Sequence, residues 1–341
     1  MERRIRVLVA DDSAFMRRAI SRMLEGEDGF EIVGTAASGE EAVRKARDLR
    51  PDVITMDVEM PGIGGLEAIK KITAEQKTPI VMLSALTREG AEITLRGLEL
   101  GALDFIPKPV GASVDVVKLR RELVEKLRAL ASGPEKTVAL RPRRPPEVRA
   151  PCACIVIGAS TGGPIALARI LSQLPGDFPV PIVIVQHMPL GFTKPLANHL
   201  SAAGPLAVVE AVEGMPLRPG SALLAPAGLH LRVRRSPGGP VVALEEDVSG
   251  SLHVPSVDVT AASIADVFAA QALGVILTGM GQDGIAGLRA IKERGGYVVA
   301  QDARTAVVYG MPRAAAAAGL VDQVAGIDEI PSLLLRFVKQ P

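Results

Sequence analysis

Asp11 and Asp12 end one apolar run, Asp57 ends another, and Lys108-Pro109 follows a third. Carboxylates gathered at one place raise one another's proton affinity unless a cation joins them. A hard divalent ion with oxygen ligands, Mg²⁺ above all, suits such a set. If Asp57 accepts a phosphoryl group, Mg²⁺ held by Asp11, Asp12 and Asp57 would neutralise the transferring charge, and Lys108 would pair with its oxygens. Ser84, closing Pro-Ile-Val-Met-Leu-Ser, offers a hydroxyl to the acquired phosphoryl. Phe105, three residues before Lys108, is placed to swing between exposed and buried rotamers as that loop tightens. Asp11-Asp12 alone also reads as a helix N-cap beside a solvated acid.

A second constellation occupies the other half. Cys154 to Ile157 is an apolar run, and Gly158-Ala159-Ser160-Thr161-Gly162-Gly163-Pro164 follows it. This G-x-S-x-G turn can bend tightly and leave the Ser160 hydroxyl exposed. The helix expected from Ile165 to Leu174 would present free N–H groups to an oxyanion. The same geometry cradles a phosphate, so a nucleotide loop is the alternative, although no G-K-[ST] or G-x-G-x-x-G is present. The next run, Pro181 to Gln186, ends in His187, the base that a neutral-pH serine needs. Of the other histidines, His199 falls in a helical stretch, His230 enters a strand, and His253 sits in a loop-like stretch.

Gly274 to Thr278 predicts a central strand, and Gly279-Met280-Gly281-Gln282-Asp283-Gly284 follows. Asp283 would then fix the tautomer of His187. Asp302, after Tyr297 to Gln301, competes for that role. Asp283 is preferred because its glycine-rich loop allows close approach and could lend a backbone N–H to the oxyanion; its alternative is a helix N-cap. The order Ser160, His187, Asp283 is not that of the α/β-hydrolase superfamily, which excludes that superfamily without excluding the chemistry.

These groups need strand ends to hold them. In the first half, five runs (5 to 10, 30 to 34, 53 to 57, 80 to 84, 103 to 106) alternate with helical stretches, the rhythm of a doubly wound parallel sheet. The C-terminal ends of such strands share one edge, where ligands bind. The second half repeats the α/β pattern. The 341 residues therefore divide into a flavodoxin-like domain (1–130), a Pro/Arg-rich linker (131–150) and a Rossmann-like α/β hydrolase domain (151–341). The last domain is nearly balanced in charge, without the basic face that nucleic acid requires. No apolar stretch reaches bilayer length, the start does not read as a signal peptide, and Cys152 and Cys154 match no disulfide or metal pattern. The chain reads as cytoplasmic.

Val-Leu-Val-Ala-Asp-Asp-Ser, Thr-Met-Asp-Val-Glu-Met-Pro-Gly-Ile-Gly-Gly-Leu and Asp-Phe-Ile-Pro-Lys-Pro resemble the response-regulator receiver domain over about residues 1–125. The resemblance implies phosphorylation of Asp57 by a histidine kinase, with Asp12, Asp57 and the Glu59 carbonyl among the Mg²⁺ ligands. The second half is similar to the catalytic domain of the chemotaxis protein-glutamate methylesterase family. The similarity rests on Ile-Gly-Ala-Ser-Thr-Gly-Gly-Pro, Val-Gln-His-Met-Pro-Leu-Gly-Phe-Thr, Leu-Ala-Pro-Ala-Gly-Leu-His-Leu, Pro-Ser-Val-Asp, Leu-Thr-Gly-Met-Gly-Gln-Asp-Gly and Val-Val-Tyr-Gly-Met-Pro-Arg-Ala-Ala. It implies Ser160 as nucleophile, His187 as base, Asp283 as orienting acid and the Met280 N–H in the oxyanion hole. It also implies that Thr161 helps hold the histidine or substrate.

The substrates implied are glutamate methyl esters, and glutamine amides, on chemoreceptor helices, so the membrane is met only through receptors. Hydrolysis itself needs no cofactor, and the unphosphorylated receiver is expected to cover the hydrolase cleft. Two departures, Val254 where many relatives have Arg and Thr260-Ala261 where they have aromatics, touch substrate contacts rather than chemistry. A non-catalytic binding regulator, a small-ester hydrolase and a methylesterase of another chemosensory-type pathway are the competing readings.

Overall fold

A computed structural model describes residues 3–108, 116–132, 151–248 and 250–338. Pro109 and nearly all of the expected linker lie outside the described residues. Two compact units divide the chain, Met1–Gly133 and Pro134–Pro341.

The first unit alternates strand and helix throughout: β1 (Ile5–Ala10), α1 (Ala14–Glu25), β2 (Phe30–Ala36), α2 (Gly39–Leu49), β3 (Val53–Asp57), α3 (Gly64–Glu75), β4 (Ile80–Ser84), α4 (Arg88–Glu99), β5 (Asp104–Pro107) and α5 (Val116–Ala131). All pairings are parallel, in the order β2-β1-β3-β4-β5. Helices on both faces bury β3 and β4 along their whole length, which is why both read as unbroken apolar runs. Side-chain oxygens of Ser13, Ser38 and Thr87 accept from the first free N–H groups of α1, α2 and α4, so each helix begins where its cap stands.

The second unit contains β6 (Cys154–Ala159), α6 (Gly163–Leu171), β7 (Ile182–Gln186), α7 (Thr193–Ala202), β8 (Ala207–Glu210), β9 (Ser221–Leu224), β10 (His230–Ser236), β11 (Gly239–Glu245), α8 (Val257–Phe268), β12 (Ala272–Ile276), α9 (Ile285–Glu293), β13 (Tyr297–Gln301), α10 (Met311–Ala317), β14 (Gln323–Ala325) and α11 (Ile330–Val338). Seven parallel strands form one sheet in the order β14-β13-β12-β6-β7-β9-β8, and β10-β11 is a separate antiparallel hairpin. The strand expected at His230 is β10, but its antiparallel pairing with β11 has no place in the parallel pattern. The chain builds outward from β6 through β7, then returns to the other side of β6 with β12. Ligand crevices open at such a reversal. Cys152 and Cys154 are free thiols, and burial pushes Cys152 up to about 12, as suits inert core residues. No helix of the described residues is long and apolar enough to cross a membrane.

Candidate active site

Three adjacent strands carry the second constellation. The ladder continues past the strand ends: Leu277 N–H donates to the Gly158 carbonyl at 2.9 Å, Ser160 N–H to Thr278 at 3.0 Å, and His187 N–H to Ala159 at 3.1 Å. Ser160 therefore emerges from the middle strand, between the end of β12 and His187 at the end of β7. Gly162, left-handed at φ 75°, turns the chain, and Gly163 N–H closes the turn on the Ser160 carbonyl at 2.7 Å. The helix behind it begins at Gly163, two residues earlier than the sequence pattern had it.

His187 has its two ring nitrogens in different surroundings. Nε2 lies 2.8 Å from Asp283 Oδ2, and Nδ1 is buried without a hydrogen-bond partner. A carboxylate at Nε2 selects the tautomer with its proton there, which leaves a lone pair on Nδ1. The one nitrogen able to take a proton is thus kept free.

Asp283 itself is held from four directions. Ser256 Oγ donates to it at 2.8 Å, Val257 N–H at 2.7 Å, Asp258 N–H at 3.1 Å, and His187 at 2.8 Å. The peptide donors are the first turn of α8, whose positive end favours an anion. Burial alone would raise this carboxyl, but the His187 bond and charge and the Val257 and Ser256 donors carry it well below the usual carboxylate range. Asp283 caps a helix that is not the one following it in sequence. The competitor Asp302 follows β13, one strand farther from β6, and spends its carboxylate on Thr305 and Arg304.

Met280 belongs to a fixed peptide. The Gly279 carbonyl accepts from Gly310 and Met311 N–H at 3.0 and 2.9 Å, and a planar peptide sends the Met280 N–H to the opposite side. Gly279 also packs on the nucleophile, since a Cβ there would stand 2.8 Å from Ser160 Cβ and would strike Met311 Sδ. Thr161 is buried, and its carbonyl accepts from Thr278 Oγ1 at 2.9 Å.

Three contributors escaped the sequence reading. Gln186 is buried and donates through Nε2 to the carbonyls of Ser160 (2.9 Å) and His187 (3.1 Å), tying the two turns together. Its signal was a lone amide ending an apolar strand. Ser256, seen before only inside a motif, is both N-cap of α8 and donor to Asp283. His253 stacks on His187, with centroids 4.0 Å apart and 10° between planes.

The first constellation is equally real in space. Asp11, Asp12 and Asp57 each offer a carboxylate oxygen, all within 4.8 Å of one another. Lys108 Nζ lies 2.6 Å from Asp57 Oδ2 and 3.2 Å from Asp11 Oδ2. Burial pushes Asp57 up to about 6, Lys108 pulls it back in part, and Asp11 adds repulsion. Lys108 is raised as well: against the cost of burial, the Asp57 and Asp11 carboxylates keep it charged. One ammonium cannot neutralise two buried acids, so the cation is over-provided and the anions are not. Glu59 N–H donates to Asp57 Oδ1 at 3.2 Å. Ser84 lines the same small hollow as Asp57, Glu59 and Lys108, but its hydroxyl is bonded to Thr94 and to the Gly90 carbonyl. Phe105 is buried, with the Lys126 ammonium 5.6 Å from its ring.

Known proteins share this sequence and these folds. The sequence matches the family described as CheB methylesterase over residues 155–334 and the response regulator receiver domain over 7–119. The chain belongs to the CheB methylesterase family. A protein-glutamate methylesterase/protein-glutamine glutaminase of Halalkalibacterium halodurans is 44% identical over the whole of both chains. One of the same name from Oleidesulfovibrio alaskensis is 42% identical over 98% of this chain and 99% of its own. The crystal structure of the Thermotoga maritima CheB methylesterase catalytic domain superposes with a TM-score of 0.54 at 40% identity, covering 55% of this chain and all of that one. The two-domain parallel α/β architecture expected from the sequence is the family's, and both of the family's domains are present.

Proposed function

We propose that the chain is a phosphorylation-activated protein-glutamate methylesterase, and a protein-glutamine glutaminase, acting on chemoreceptor cytoplasmic helices. The observation that carries this reading is the free, buried Nδ1 of His187, with Asp283 on Nε2 and Ser160 on the adjoining strand. His187 Nδ1 takes the Ser160 proton, and Ser160 Oγ attacks the side-chain carbonyl of a glutamate methyl ester. The oxyanion is met by the Met280 N–H, with Thr161 beside it. The carbon–oxygen bond breaks, methanol leaves with the proton from His187, and a glutamyl-Ser160 ester remains. Water, deprotonated by His187, then releases glutamate and restores Ser160. A glutamine amide follows the same course and releases ammonia. Asp283 stays ionised and keeps the imidazolium oriented.

In the receiver, Asp57 accepts a phosphoryl group from a histidine kinase. Asp11, Asp12, Asp57 and the Glu59 carbonyl would hold Mg²⁺, and the donor set fits: three carboxylate oxygens lie within 4.8 Å of one another, and the buried Oδ2 atoms of Asp11 and Asp57 share a single ammonium, Lys108. When bound, the ion neutralises charge on the transferring group. Lys108 and Ser84 receive the phosphoryl oxygens, and Phe105 repacks. A coupling of about 1–3 kcal/mol would raise activity roughly 5- to 150-fold.

The test is methanol release from methylated receptor membranes by wild type and Ser160→Ala, with and without a small-molecule phosphodonor. Release that needs Ser160 and rises with donor supports the proposal. Release by Ser160→Ala at the wild-type rate rejects the nucleophile, and an unchanged rate with donor rejects the switch. A fragment from about Glu147 onward should be active without donor; a folded but inactive fragment would argue against simple inhibition by the receiver.

A further inference from the structure

A single hydrogen bond does not fix an imidazole. With Nε2 on Asp283 at 2.8 Å, small coupled rotations about Cα–Cβ and Cβ–Cγ still tilt the His187 ring, and each tilt re-aims Nδ1. A second contact is needed to set the plane of the ring. His253 makes it, lying flat on His187 at 4.0 Å and 10°.

His253 is itself held firmly, although it lies outside any helix or strand. On one side of it, Ser251 donates from N and Oγ to Asp247, at 2.6 and 3.0 Å. On the other, the Val254 carbonyl accepts from Gly228 N–H at 3.1 Å, and Ser256 N–H donates to His230 Nδ1 at 3.3 Å. His230 is buried at the start of β10, and its Nε2 lies 3.4 Å from Asp247 Oδ1. His230 thus bonds the flank after His253 through Nδ1 and faces Asp247, on the other flank, with Nε2. The hairpin that the parallel-sheet pattern left unexplained supplies the anchor.

We propose that His253 is a positioning residue of the hydrolase site: its ring, pressed flat on His187, fixes the plane in which Nδ1 is presented to Ser160. Asp283 decides which nitrogen is free, and His253 decides where that nitrogen points. A plate facing a base that becomes an imidazolium must not be charged itself. Burial, together with the neighbouring His187 charge, lowers His253 to about 4 despite Asp283, so the plate is neutral above that pH. A neutral aromatic face beside the imidazolium is attractive, whereas a second cation would oppose its formation.

This inference rests on the proposed roles of Ser160 and His187, and its test separates the two. In methanol release, His253→Ala and His253→Leu should lower kcat about 10- to 100-fold, the scale of a misaimed catalytic group. KM should stay near the wild-type value. Leu fills the space without a flat face and decides the matter if Ala does not fold. His253→Phe restores the plate and should recover most of kcat, with the pH profile above about pH 5 unchanged because the native ring is already neutral there. A Phe variant as slow as Leu, or a Leu variant with only KM raised, overturns the proposal. The second readout needs no substrate. In ¹⁵N-histidine NMR of the full chain, the His187 Nε2–H signal should stay sharp in the Phe variant and broaden in the Leu variant; an unchanged signal in both also overturns it. If wild type released no methanol, the enzymatic reading would fail while the NMR comparison still judged the plate.

Discussion

The two polar clusters of this chain stand at the C-terminal edges of parallel sheets built on the same rule, yet they treat buried charge in opposite ways. Asp283 meets four donors and is driven well below the ordinary carboxylate range. Asp57 shares one lysine with Asp11 and is pushed up to about 6 by burial, only partly offset by Lys108. Asp283 needs no further partner. Asp57 and Asp11 each turn a buried oxygen toward that one shared ammonium. The contrast follows from what each must do. A carboxylate that only orients a base works best when already saturated, since reorganisation during the reaction costs rate. A carboxylate that must take a metal and then a phosphoryl group has to stay under-coordinated beforehand.

The hydrolase half of that contrast breaks most severely at Asp283. Asp283→Asn keeps the shape but presents an amide where donors now converge, and it no longer selects the tautomer of His187. We expect kcat to fall about 10³- to 10⁴-fold with the fold retained, measured as methanol release beside circular dichroism. A loss below tenfold would mean that the Nε2 contact does not set the tautomer. Gly279→Ala should follow. The new methyl would press on Ser160 and Met311, and displacement of the nucleophile by about 1 Å costs about 10²-fold. Unaltered turnover would show that this site relaxes, against the idea of a pre-set geometry.

Much of this contrast is legible in the amino-acid sequence. Asp11, Asp57, Ser160 and His187 each end an apolar run, and parallel strands gather such ends at one edge. The choice between Asp283 and Asp302 was harder, because sequence spacing does not give strand order. It is decided by β12, not β13, lying against β6. Gln186, Ser256 and His253 were missed for a different reason. Each acts through a contact between segments far apart in sequence, and two of them lie at or before the start of α8, in a stretch with no periodicity to mark it. The direction of the Ser84 hydroxyl was also unreadable, since it depends on Thr94, on the neighbouring helix α4.

On the receiver side, the unsatisfied state should appear as a pH-dependent stability. Asp57 is raised in the folded chain above its ordinary value of 3.8, so between there and about 6 the folded state binds a proton that the unfolded state lacks. Its contribution is therefore most favourable below about pH 4 and is lost as pH rises through 6. In metal-free buffer at neutral pH, Asp57→Asn should be more stable than wild type by about 2 kcal/mol, a difference that vanishes near pH 4. Mg²⁺ should narrow the gap from the other side, adding about 1.4 kcal/mol to wild type alone at ten times its dissociation constant. Denaturant melts of the receiver transition read both. Equal stability at every pH would place Asp57 among satisfied residues and remove the contrast with Asp283.

The smallest expected effect lies at Thr94, and it asks whether the receiver's readiness is held in check. Ser84, Thr94 and the Gly90 carbonyl form a closed set of hydrogen bonds in the buried layer between β4 and α4. To reach a phosphoryl oxygen on Asp57, Ser84 must give up that set. Thr94→Val keeps the volume and removes one hydroxyl, so the resting arrangement loses about 1 kcal/mol and the alternative orientation of Ser84 gains roughly fivefold in population. The phosphodonor concentration giving half-maximal methylesterase activation should fall by a similar factor, while activity at saturating donor stays the same. An unchanged midpoint would mean that the Ser84 hydroxyl is not coupled to phosphorylation. A higher maximum would mean that Thr94 restrains the hydrolase by a route that does not pass through Ser84.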